Sequence, residues 1–173
     1  MIHAARANRQ FRILNSEQRI GLAENAWLHE LVMNNPSGCG TESATGLKHE
    51  QITRTVIGCA FEVINELGAG FLESVYEKAL LLALRQRDLS AVAQYPIKVM
   101  FRGECVGDFF ADIYVEGKVI VELKAVKAIA PEHQAQIINY LNATGVEVGL
   151  LINFGNPRLE YKRFTRSKDY KHG

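Results

Sequence analysis

The sequence predicts an α/β domain: a mixed central sheet flanked by helices, behind an N-terminal helical extension. Three observations carry this. Two amphipathic helical patterns follow each other from Glu50 onward. Three strand-like stretches then succeed one another across short glycine turns. Finally, a helical stretch opening at Pro131 leads into a continuously apolar run, the pattern of a strand buried on both faces.

The elements are justified in chain order. Glu50 to Leu67 places Ile52, Val56, Ala60, Val63, Ile64 and Leu67 on one helical stripe. Gly68, Ala69 and Gly70 end it, because glycine takes a left-handed cap without a Cβ clash. A second helix is expected from about Leu72 to Arg87. Val92 to Phe101 reads as a strand, and Pro96 within it argues for a sheet edge or a bulge. Arg102 and Gly103 form a turn into the strand that leads to Asp112. A hairpin closes around Glu116 and Gly117, and Val119 to Lys124 forms its second strand. Pro131 and Glu132 suit a helix N-terminus, Gly145 stops that helix near Thr144, and Val146 to Phe154 is the buried strand. The order is α-α-β-β-β-α-β, with a parallel crossover at its end.

Residues 1–46 read differently from residues 47–173. The first fourteen carry Arg6, Arg9 and Arg12 and no acid. An amphipathic helix is expected from Ser16 to about Met33, through Ile20, Ala23, Trp27, Leu28 and Leu31, followed by a glycine- and serine-bearing linker. This extension is either an accessory helix or a translated segment ahead of a start at Met33. At the other end, Arg158 to Gly173 carries six basic residues against two acidic ones. A solvated terminus and a phosphate-contacting arm are equally good expectations for it.

Composition sets the outer limits. The 173 residues suffice for one domain with a real core. No apolar run is long enough to span a membrane. Cys39, Cys59 and Cys105 are odd in number and widely spaced, which suggests reduced thiols in a cytoplasmic protein instead of a disulfide frame or a zinc site. The net charge of +1 excludes a globally basic nucleic-acid binder, so any phosphate recognition must be local.

Chemistry concentrates in the hairpin. Glu122 and Lys124 lie inside the apolar run VIVELKAV, where unpaired charges are costly. Alternation puts Ile120, Glu122 and Lys124 on one face and Val119, Val121 and Leu123 on the other. A two-residue turn would send Asp112 and Glu122 to opposite faces. A three-residue loop, Val115 to Gly117, pairs Tyr114 with Lys118 and gathers Asp112, Glu122 and Lys124 on one face; this second register is the one expected. Two carboxylates beside a lysine suit a hard cation such as Mg²⁺, and the lysine can steady charge on a phosphate. Taken alone, the three residues favour a surface ion pair between Lys124 and a neighbouring carboxylate over a metal site. Two helical stripes shift the balance: Glu73, Tyr76 and Glu77 share one face of the second helix, and His133, Gln136 and Tyr140 one face of the third. His133 is expected to be an ordinary surface imidazole.

The segment GFLESVY, with Gly70, Glu73 and Tyr76, resembles the motif that names the GxxExxY protein family, and the likeness runs from Leu47 to Phe164. That family is placed in the PD-(D/E)xK nuclease superfamily. The resemblance implies a restriction-endonuclease-like αβββαβ core with a mixed central sheet and a nuclease hydrolysing phosphodiester bonds, in DNA before RNA. It implies that Glu73, Asp112 and Glu122 hold Mg²⁺ or Mn²⁺ and that Lys124 is the catalytic lysine. Gln136 and Tyr140 match the QxxxY pattern of RecB-type nucleases and would hold substrate phosphate together with Tyr76. Ala111 stands where the superfamily often has proline. A non-catalytic nucleic-acid-binding or protein-interaction module on the same fold is the alternative, and a homo-oligomer stays open.

Overall fold

The computed structural model describes residues 11–15 and 47–166. The helix expected between Ser16 and Met33 lies outside them, as do the linker and the last seven residues. The elements are β1 (Phe11–Asn15), α1 (Glu50–Leu67), α2 (Glu73–Arg85), β2 (Ala91–Phe101), β3 (Glu104–Val115), β4 (Val119–Lys124), α3 (Pro131–Thr144), β5 (Val148–Asn153) and β6 (Glu160–Arg166). The sheet order is β1-β6-β5-β4-β3-β2. Among the described residues only β4 and β5 run parallel, joined through α3; the other pairs are antiparallel. The fold is thus a mixed-sheet α/β domain of restriction-endonuclease-like architecture.

Side-chain alternation distributes the core over both faces of the sheet. On one side α1 and α2 bring Val56, Ala60, Val63, Tyr76, Leu80 and Leu84 onto Ile113, Val115, Val121, Leu123, Leu150 and Ile152. On the other, α3 brings Ile137, Ile138, Tyr140 and Leu141 onto Ile120, Leu151, Phe164, Ile97 and Ala111. β5 is buried along its whole length, as its apolar run requires. Pro96 sits on β2, the edge strand, where its missing N–H interrupts no ladder inside the sheet.

Two expectations need correction. The hairpin register is Val115↔Val119, Tyr114↔Ile120 and Ile113↔Val121, two residues away from the Tyr114–Lys118 pairing expected. The loop is Glu116 to Lys118, with Glu116 and Gly117 both left-handed and the Lys118 N–H donating to the Val115 carbonyl at 3.0 Å. A slip of two preserves the facing because side chains repeat every two residues, so Asp112 and Glu122 still fall on one face. The second correction concerns part of the C-terminal stretch. Glu160–Arg166 is not a frayed terminus but strand β6, antiparallel to β5, with Arg163 and Phe164 buried, and residues 167–173 lie outside the described residues.

Candidate active site

β3 holds β4 through only three residue pairs, Ile113 to Val115, and then leaves it to continue with β2 alone. Asp112 stands at the fork. The ladder partner that Leu123 loses there is replaced by a side chain, and Asp112 Oδ2 accepts the Leu123 N–H at 2.7 Å. The site is therefore a place where a sheet comes apart and a carboxylate closes the gap.

Glu122 is 2% exposed, in the middle of β4. Its Oε1 accepts a hydrogen bond from Lys124 Nζ at 2.8 Å, two residues along the same face. Its Oε2 is buried with no hydrogen-bond partner. Burial raises the Glu122 carboxyl to about 7; the Asp112 charge adds to the rise, and the hydrogen bond and charge of Lys124 oppose it. Asp112 is also pushed up by burial, against the pull of the Leu123 N–H and the Lys124 ammonium. Burial acts to lower Lys124, but its bond to Glu122 and the charges of Glu122, Glu73 and Asp112 win, leaving it above its ordinary value and held positive.

Glu73 arrives from the opposite layer, as the first residue of α2. Its Oε1 accepts the Ala125 N–H at 3.1 Å, one residue beyond Lys124. The loop ahead of it is pinned by Tyr76, whose hydroxyl donates to the Gly68 carbonyl at 2.8 Å and accepts the Phe71 N–H at 3.2 Å. Tyr76 is fully buried and stacks on Phe154 with centroids 4.5 Å apart. This corrects the expectation that Tyr76 touches substrate: its part is to hold the turn from which Glu73 projects. The GxxExxY spacing thus acquires a local mechanism. Gly70 supplies a φ of 111°, Glu73 opens the helix, and Tyr76, one turn on, reaches back to fasten the loop.

On α3, Gln136 Nε2 donates to the Tyr140 hydroxyl at 2.9 Å. Burial raises the Tyr140 phenol, the Gln136 bond opposes that, and the charge of Glu122 adds to the rise, so the α3 pair lies within electrostatic reach of β4. His133 does not join them: its Nδ1 accepts the Ala130 N–H at 3.1 Å and caps the helix.

One contributor escaped the sequence reading. Asn153 is fully buried at the end of β5. Its Oδ1 accepts the N–H groups of Val126 and Gly155, each at 3.0 Å, and its Nδ2 donates to the Val126 carbonyl at 2.8 Å. This clasp fixes the chain leaving Lys124. An amide at the end of the apolar run VGLLIN was the available signal.

The structure therefore brings Asp112, Glu122 and Lys124 together, with Glu73 beyond Lys124 and Gln136 with Tyr140 alongside. Among the described residues, no three His, Cys, Asp or Glu side chains are already gathered as a metal cage. Asp112 and Glu73 each spend an oxygen on a backbone N–H instead. The donor set nevertheless fits a hard divalent cation, because an orphaned, buried carboxylate oxygen beside a second carboxylate is a costly arrangement that such an ion would relieve.

The site thus sits on a sheet that forks at an acid and faces a buried Glu-x-Lys strand. The chain belongs to the PD-(D/E)XK nuclease superfamily, whose family model matches residues 50–164. Nucleases of this superfamily generally use divalent metals. No curated protein and no solved structure matches the chain at a significant level. No helix among the described residues is long and apolar enough to cross a membrane.

Proposed function

We propose that this protein is a metal-dependent nuclease of the GxxExxY type that hydrolyses phosphodiester bonds in DNA in preference to RNA, acting in the cytoplasm. The observation that carries this reading is the buried Glu122 with its unpartnered Oε2, set between Asp112 and a positively held Lys124. A core strand has no stability reason to keep such a group.

In this reading Asp112, Glu122 and Glu73 hold Mg²⁺ or Mn²⁺. A bound divalent cation supplies Lewis-acid polarisation of the phosphate and a water of lowered pKa. The protein's own groups do the rest. Asp112 is oriented through its Leu123 contact, which leaves its other oxygen for the ligand. Lys124 keeps its proton and offers positive charge where negative charge grows on the phosphate. Tyr140 accepts from Gln136, so its own O–H is directed to a further acceptor, and a substrate phosphate oxygen fills that place.

The test is cleavage of single-stranded, duplex and flapped DNA and of RNA in Mn²⁺, comparing the purified protein with Lys124→Ala. DNA cleavage that chelator abolishes and the variant lacks is expected. Identical traces from both proteins on every substrate would replace the nuclease with a binding or interaction module on the same fold.

A further inference from the structure

We propose that the outer part of the β2–β3 hairpin is a self-association arm that takes a second copy of this chain. Past the fork, residues 96–110 pair only with each other. Ile97 and Ala111 still reach the α3 layer and are buried. Beyond them Met100, Phe101, Val106, Phe109 and Phe110 are all exposed, each by about half or more of its surface (57%, 60%, 60%, 48% and 55%). The pleat divides them: Phe101, Val106 and Phe110 share the face turned away from α3, while Met100 and Phe109 share the face of Ile97, with the Phe109 ring 6.2 Å from that of Tyr140. A two-stranded ribbon is marginal in water unless a third layer covers it, and the outer face, with three exposed apolar side chains, marks a contact surface.

The charges on the arm select the partner. Lys98 lies directly across from Asp108, and Arg102 rests over the Phe101 ring at 5.1 Å, beside Glu104 at the turn. Two bases and two acids cancel, so the arm offers no field to a polyanion, and tight nucleic-acid binding needs several uncompensated phosphate contacts. Lys98 and Asp108 share the outer face with Phe101, Val106 and Phe110, and a two-fold axis through that face sets each charge against its opposite in the second copy, so the face is complementary to itself. The contact runs through side-chain faces. Strand addition is blocked at the outer edge of β2 by Pro96, which has no N–H, and by Gln94, whose φ is 50°.

The experiment is sedimentation velocity of the full chain over a concentration series. The expected mass rises from the 19.3 kDa monomer to twice that value, and Phe101→Glu/Phe110→Glu stays monomeric with an unchanged circular dichroism spectrum. A second readout uses the native Cys105, exposed near the arm's turn, spin-labelled in a Cys39→Ser background with Cys59 buried. An intermolecular dipolar signal that unlabelled protein dilutes away is expected. A wild type that stays at monomer mass throughout overturns the proposal, as does a labelled protein without the signal. A monomer whose arm variants lose affinity for oligothymidine also overturns it, in favour of base stacking. None of these readouts depends on nuclease activity.

Discussion

β4 and the β2–β3 arm are opposite violations of one rule. β4 is a buried strand that carries two charges, and the arm is an exposed ribbon that carries five large apolar side chains. In each, polarity and environment disagree, and in each the cost has to be recovered outside the isolated fold. The difference lies in what recovers it. On β4 the orphan is a single oxygen, which a small hard ligand satisfies. On the arm it is an area, which only a macromolecular surface covers. On the two readings proposed above, the kind of misplaced polarity sets the size of the partner: an ion for an atom, a protein surface for an area.

The comparison breaks most sharply at β4. Asp112→Ala and Glu122→Ala should each lower Mn²⁺-dependent DNA cleavage by at least about 10²-fold while leaving circular dichroism unchanged, because each removes charge from the reacting centre. Retained turnover in either would mean that β4 recovers its cost some other way. Next in size is a pH effect on the metal-free protein. Glu122 is raised from 4.5 to about 7, so the folded state holds its proton more tightly than the unfolded one. That contribution is fully present below about pH 4.5 and is lost as pH rises through about 7. Between pH 5 and 8 this single group should cost on the order of 2–3 kcal/mol of stability. Glu122→Gln should flatten the dependence in urea titrations and make the metal-free protein the more stable of the two at pH 8.

Smaller effects sharpen the contrast between parts that hold and parts that react. Tyr76→Phe removes a buried hydroxyl with two backbone partners, and a loss of about 1–3 kcal/mol in denaturant midpoints is expected. Cleavage should fall only through Glu73, so Glu73→Ala in the Tyr76→Phe background should add no further loss beyond Glu73→Ala alone. The smallest change belongs to Gln136→Ala. It should raise KM several-fold, roughly 1 kcal/mol of positioning, with kcat nearly kept. A fall in kcat alone would move Gln136 from substrate to the reacting centre.

The parts legible in the sequence were those with a strong period or a strong contradiction. α1, α3 and β5 match their apolar patterns closely, and Glu122 with Lys124 stood out because charge interrupts an apolar run. The hairpin register was off by two because Glu116 and Gly117 favour a turn without fixing which residues close it; the facing survived since only an odd slip changes it. β6 was missed because its alternation is broken: Arg163 is buried next to Phe164, with its guanidinium donating to the Lys48 carbonyl. The family resemblance puts Tyr76 on the substrate side, and its shared helical face with Glu73 cannot reveal that the hydroxyl turns back to its own loop. Asn153 gave a signal one residue long.

Gly155 has a consequence for any saturation mutagenesis of this chain. A Cβ there would sit on the Val126 carbonyl, so two backbone segments cross in contact at the end of the Asn153 clasp. Substitutions at Gly155 will score as badly as those at Glu122, although no chemistry passes through it. Temperature tells the two apart: the crowded glycine fails more as the assay warms, and the carboxylate fails equally at every temperature. A scan run at a single temperature would draw the catalytic map one residue too large.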